Sequence, residues 1–237
     1  MLLALCIIFM SLGLIALVLF LLEKIRKYSV KETMIKCVTS MFFIATAAVG
    51  LYKSGLHKLP LFVILGLLCG LLGDIWLDLK YVYREHDKPY SYAGFIMFGI
   101  GHILYITGMF VEYYKGGTEN ILYIVIPILV GLAFAGLTIA LEKPLKLKYG
   151  DMKVISMLYA ITLFSMSASA LSLCIMHQFS NTTLIMLFAG GVLFAISDLI
   201  LSGTYFGVGK ERPVDIITNA VTYYVAQYVI AFSLFFI

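Results

Sequence analysis

The stretch Gly66-Leu-Leu-Cys-Gly-Leu-Leu-Gly-Asp-Ile-Trp-Leu-Asp78 decides the fold class. It is an apolar run that carries one carboxylate, Asp74, four residues ahead of a second, Asp78. Gly66, Gly70 and Asp74 recur every four residues, so on a helix they share one face. That face has little side-chain bulk, which lets a neighbouring helix approach and surround the acid. An ionisable group inside a membrane span costs roughly 2.5–3.5 kcal/mol on insertion scales. A later segment, Gly190-Gly-Val-Leu-Phe-Ala-Ile-Ser-Asp198, repeats the arrangement.

Working outward, apolar runs of similar length fill the chain. Of 237 residues 62% are hydrophobic and only 13% charged, whereas soluble domains carry about a quarter charged residues. Windows of about 20 mostly apolar residues fall near 2–22, 33–52, 60–79, 92–114, 120–141, 153–176, 183–203 and 214–237. The sequence therefore predicts an all-α polytopic membrane protein: one integral domain over 1–237, a bundle of eight transmembrane helices. Leu2 to Leu22 lacks a basic leader and a small-residue cleavage site, so it reads as a retained span. Cys6, Cys37, Cys69 and Cys174 lie inside spans at unrelated spacings and read as small buried hydrophobes. The net charge of +4 is a loop effect and gives no reason to expect nucleic acid.

Basic residues order the loops. Loops one, three, five and seven carry thirteen lysines and arginines, and the even-numbered loops only Lys53, Lys58 and Lys115. The positive-inside rule then puts the odd loops in the cytosol and both termini on the other side. Asn181-Thr-Thr183 matches a glycosylation acceptor but abuts the start of span seven, and it is read as unused.

This topology gathers the in-span polar residues into one half of the membrane. Asp74 and Asp198 lie near the ends of inward-running spans. Lys36, His102 with Tyr105, Tyr159, and Asn219, Tyr223, Tyr224 and Gln227 enter the same layer from other spans. Each has a plainer reading: tyrosines anchor or pack, Lys36 snorkels, and His102 is a bonded core histidine. Asp78, beside the loop and Lys80, reads as a solvated or ion-paired surface residue. Asp74 and Asp198, flanked by apolar and small residues, are the expected functional pair. They lie 124 residues apart, as do Gly66 and Gly190. Each is followed one helix later by a polar residue, His102 or Gln227, out of register by one. That spacing suggests two four-helix halves in parallel orientation with a site between them.

Desolvation disfavours the charged form of a carboxyl in such a setting, and two facing acids titrate as a unit. One protonated and one ionised carboxyl give a proton donor and a base, the division of labour used on acetals through oxocarbenium-like states. No Gly-x-Ser-x-Gly is present to mark a serine hydrolase. A metal bridging Asp74, Asp198 and His102 has little support from one in-span histidine, and no metal or cofactor is expected. Paired intramembrane carboxylates also mark ion pathways, so a proton- or cation-coupled transporter is the alternative. An intramembrane aspartyl protease is disfavoured, because Leu71-Leu72-Gly73-Asp74 departs from Gly-x-Gly-Asp and no Pro-Ala-Leu follows.

The runs Gly-Leu-Leu-Gly-Asp74-Ile-Trp-Leu, Phe98-Gly-Ile-Gly-His102-Ile-Leu-Tyr105, Leu193-Phe-Ala-Ile-Ser-Asp198 and Thr222-Tyr-Tyr-Val-Ala-Gln227 resemble the motifs of the YhhN-type lysoplasmalogenases, the transmembrane protein 86 group. Met34-Ile-Lys36-Cys37 resembles that family's lysine motif, with Cys37 where many members have proline. The resemblance covers nearly the whole chain. It implies hydrolysis of the vinyl-ether bond of a lysoplasmalogen to a fatty aldehyde and a glycerophospho-ethanolamine or -choline, with Asp74 and Asp198 catalytic. It makes Lys36 a phosphate contact and has His102, Tyr224 and Gln227 orient water or the glycerol hydroxyl. Tyr159 and Tyr223 complete the expected substrate-binding set. The partners expected are a lysophospholipid substrate and membrane lipid, in a multi-pass protein of a bacterial inner or endoplasmic reticulum membrane; a homo-oligomer is compatible with this.

Overall fold

The computed structural model describes residues 1–26, 28–55, 57–115, 120–207 and 212–237. Lys27 and Lys210, counted among the odd-loop charges, lie outside the described residues. Among the described residues, eight helices are long and apolar enough to cross a membrane: α1 (Leu2–Arg26), α2 (Val30–Ser54), α3 (Leu59–Val82), α4 (Asp87–Tyr113), α5 (Leu122–Ala140), α6 (Lys153–Met176), α7 (Thr182–Phe206) and α8 (Pro213–Ser233).

α1, α2, α3, α4 and α7 outrun their apolar windows by about a turn at one or both ends, because polar end turns continue the same backbone, whereas α6 matches its window and α5 and α8 fall short of theirs. Ser29 caps α2 by accepting from Glu32 N at 3.2 Å, which brings Glu32 into the helix. Asn181 caps α7, its side chain accepting from Leu184 N at 3.1 Å. The side chain of the apparent glycosylation acceptor is thus engaged in helix capping.

Six helices form a closed ring in the order α2, α3, α4, α6, α7, α8, with α1 laid on α2 and α5 on α6. The principal packing of the first four helices recurs in the second four: α3 packs on α4 as α7 packs on α8, and α4 on α6 as α8 on α2. Glycine seams set the approach. Gly94, Gly101 and Gly108 follow at heptad spacing along α4, the repeat that keeps one seam against a partner helix. A Cβ at Gly101 would stand 3.0 Å from the Gly66 carbonyl oxygen. On the other side of that seam, a Cβ at Gly66 would meet Tyr105 Cε1 at 2.3 Å. In α7–α8 a Cβ at Gly190 would meet Ile230 Cγ1 at 2.6 Å. In membranes, where lipid is as apolar as leucine, such close packing holds helices together.

Candidate active site

A cavity of about 90 Å³ lies within the ring at the end where α1–α2, α3–α4, α5–α6 and α7–α8 are joined. Asp74 and Asp198 both line it, as do Lys36, Tyr159, Tyr223 and Tyr224. Six of the eight residues expected to be catalytic or substrate-binding therefore border one space.

On the α3 side the charges form a chain. Lys36 Nζ bridges Asp74 Oδ1 and Asp78 Oδ2, each at 3.1 Å. Lys24 Nζ bridges Asp78 Oδ1 at 3.1 Å and Glu32 Oε1 at 3.2 Å. Three carboxylates thus alternate with two ammoniums, from Glu32 to Asp74. Glu32 is fully buried and Asp74 and Asp78 are only 4% and 2% exposed. Buried charges persist only when paired, and here each cation serves two anions. Asp78 therefore corrects the surface reading: it is one helical turn from Asp74, so both carboxylates turn inward to the same lysine. Lys36 does not snorkel outward; its stem lies inside, at 11% side-chain exposure.

Asp74 Oδ2 also accepts from Tyr223 OH at 2.7 Å, and that hydroxyl accepts from Gln227 Nε2 at 3.0 Å. Tyr224 OH donates to the Lys36 carbonyl at 3.3 Å and lies 3.3 Å from Ser40 Oγ, tying α8 to α2. Asp198 is half-buried. It accepts from Tyr159 OH, and among the described residues no lysine or arginine is ion-paired with it. Ser197 and Asn219 clamp α7 to α8 beside it, Asn219 Nδ2 donating to the Ser197 carbonyl at 2.8 Å and Ser197 Oγ to the Asn219 carbonyl at 3.1 Å. The rings of Phe98, Phe194 and Tyr223 meet edge to face at 5.4–6.2 Å between centroids and close the inner end.

His102 and Gln227 stand behind this wall. His102 is buried with Nδ1 3.5 Å from Thr162 Oγ1 and Nε2 without a partner among the described residues. Its ring lies 5.3 Å from that of Tyr159 and 5.0 Å from Phe194. Neither residue borders the cavity, because each sits one turn deeper than the cavity floor.

Sequence reasoning missed Lys24 and Glu32 as site residues because both fall outside their apolar windows and count as loop charges. One signal was available. The Ser29–Glu32 spacing is that of a capping box, and Glu32 lies four residues before Lys36, on the same helical face.

A family model described as the YhhN family matches residues 31–234. No curated protein and no solved structure matches the chain.

Proposed function

Since the chain belongs to the YhhN family, the family of lysoplasmalogenases and transmembrane protein 86-type proteins, we propose that it hydrolyses the vinyl-ether bond of a 1-alkenyl lysophospholipid. The observation that carries this reading is the unequal pairing of two aspartates on one cavity: Asp74 holds an ammonium and Asp198 a neutral phenol. An acid–base pair needs such inequality. We assign the proton donor to Asp198, which has no cationic partner among the described residues to favour its anion. Asp74, fixed by Lys36 and Tyr223, is the standing carboxylate.

In this scheme Asp198 delivers its proton to the β-carbon of the enol ether, and the alkene electrons form that C–H bond. The resulting oxocarbenium ion is steadied by Asp74. Water adds to the α-carbon and loses a proton to carboxylate. The hemiacetal hydroxyl then gives its proton to carboxylate as its electrons form the C=O bond. The bond to the glycerol oxygen breaks, and that oxygen takes a proton from the reprotonated carboxyl and leaves as a hydroxyl, so that an aldehyde remains. Tyr159 and Tyr223 hold the two carboxyls in place. Lys36, committed to Asp74 and Asp78, acts on the catalytic carboxylate in preference to a headgroup phosphate. His102, Tyr224 and Gln227 act by positioning the wall. By charge distribution the termini face away from the cytosol, so the cavity end lies on the cytosolic side.

The alternating charges from Glu32 to Asp74 favour one other reading, coupled ion transport. A single assay separates them. Purified protein receives a vinyl-ether lysophospholipid, its saturated alkyl-ether analogue and an acyl lysolipid, and aldehyde release is followed. Aldehyde from the first alone, lost in Asp74→Asn and in Asp198→Asn, is expected. Turnover that survives both substitutions removes the paired-acid mechanism, and substrate-driven proton flux without turnover selects the transporter.

A further inference from the structure

Beside the first cavity lies a second, of about 70 Å³. The two share Leu77, Phe95, Tyr159, Asp198, Leu201 and Tyr205 in their walls, so the second space begins where the first presents Asp198. It lies between α6 and α7, with Thr138 of α5 at its rim. Two of its hydroxyls are turned onto their own helices, Thr138 Oγ1 donating to the Ala135 carbonyl at 2.7 Å and Ser202 Oγ to the Leu199 carbonyl at 2.9 Å. Apart from Asp198, the tyrosine hydroxyls and Ser156, the wall is hydrocarbon and aromatic ring.

Its ends differ. Toward the helix-end loops it is roofed: Lys148 N donates to the Phe206 carbonyl at 2.8 Å, and the Tyr149 and Phe206 rings lie 4.6 Å apart. Sideways it is open. Leu199 lines the cavity and is also 52% exposed, and α5 packs chiefly on α6, with at most marginal contact to α7. In a membrane that side meets lipid tails.

We infer that the second cavity holds the first methylenes of the substrate's single hydrocarbon chain, the remainder passing Leu199 into the bilayer between α5 and α7. The inference rests on the proposed reading in taking the substrate to be a single-chain amphiphile cleaved between Asp74 and Asp198. A bond held there has its inner end closed by Phe98, Phe194 and Tyr223. Of the two remaining directions, one runs to Lys24, Asp78 and the Tyr28–Tyr81 stack and suits a polar headgroup. Hydrocarbon is excluded from that charged cluster and takes the apolar side.

The test uses a lysophosphocholine with a non-cleavable saturated alkyl-ether chain carrying a diazirine near the ether end. After irradiation of the full-length protein in nanodiscs, labelled peptides from α6 and α7 around Leu163 and Leu199 are expected. Ala195→Phe, which fills the cavity, lowers that labelling at least fivefold. Should Ala195→Phe not fold, Leu199→Trp at the lipid-facing rim reads the same change. Labelling confined to the outer faces of α1 and α2, or unchanged by cavity filling in a folded variant, overturns the inference. Because the probe is never cleaved, labelling at α6–α7 in a protein without vinyl-ether turnover defeats the hydrolase reading and leaves the chain site standing.

Discussion

Lys36 and Tyr159 hold equivalent places: each comes from the second of four helices and bonds the aspartate on the third, Lys36 to Asp74 and Tyr159 to Asp198. They lie 123 residues apart, beside aspartates 124 apart. Near-symmetry of the backbone thus supports opposite chemistry at the two acids, because one partner is a cation and the other a neutral hydroxyl.

Lys36→Met removes the ammonium shared by two buried carboxylates. Breaking a buried ion pair by deleting one partner costs about 3–5 kcal/mol, so the thermal midpoint in detergent drops sharply and aldehyde release is lost. Lys36→Arg, which keeps the charge, recovers stability better than activity. An unchanged melting temperature in Lys36→Met contradicts the shared pairing.

Tyr223→Phe takes a donor from Asp74 and an acceptor from Gln227. A hydrogen bond to a charged group contributes about 1.5–3 kcal/mol. The double-mutant cycle with Gln227→Leu is expected to be non-additive, since both substitutions act on one hydroxyl. Strict additivity in thermal or denaturant unfolding argues against the relay.

Gly66→Ala and Gly136→Ala separate packing from propensity. At Gly66 a Cβ meets Tyr105 Cε1 at 2.3 Å, whereas at Gly136 nothing lies within 4 Å. Overpacking costs about 1–3 kcal/mol, while an unobstructed helical Gly→Ala gains about 0.5–1 kcal/mol. Equal unfolding midpoints for the two variants exclude the tight α3–α4 seam.

Orientation is read from cysteine accessibility in a background free of the four native cysteines. Glu85→Cys, in the α3–α4 connection, and Tyr52→Cys, at the far end of α2 and 78% exposed, are challenged with an impermeant maleimide on intact cells. Labelling of Tyr52→Cys alone is expected. Labelling of Glu85→Cys alone reverses the assignment of the cavity to the cytosolic side.

Much of the fold was legible because its signal is local. Eight apolar windows give eight helices, and small residues at i, i+4 around Asp74 mark a face that another helix meets. The depth of Asp198 followed from counting along a span. Asp78, Glu32 and Lys24 were less legible, because a charged residue near a helix end has the same sequence neighbourhood whether it turns out to water or in to a partner. Which it does depends on helix rotation and on the adjacent helix.

The sequence by itself thus determined the class, the number and order of the spans, and the layer in which the two aspartates lie, since hydropathy and helical period are properties of contiguous residues. Only the tertiary structure decided that Lys36 bridges Asp74 and Asp78, that Lys24 continues the chain to Glu32, that Tyr159 is the bonded partner of Asp198, and that His102 and Gln227 stand behind the cavity. Contacts around this site join residues as far as 188 positions apart, as in Tyr224 with Lys36. They are fixed by how closely packed glycine seams rotate each helix against its neighbours.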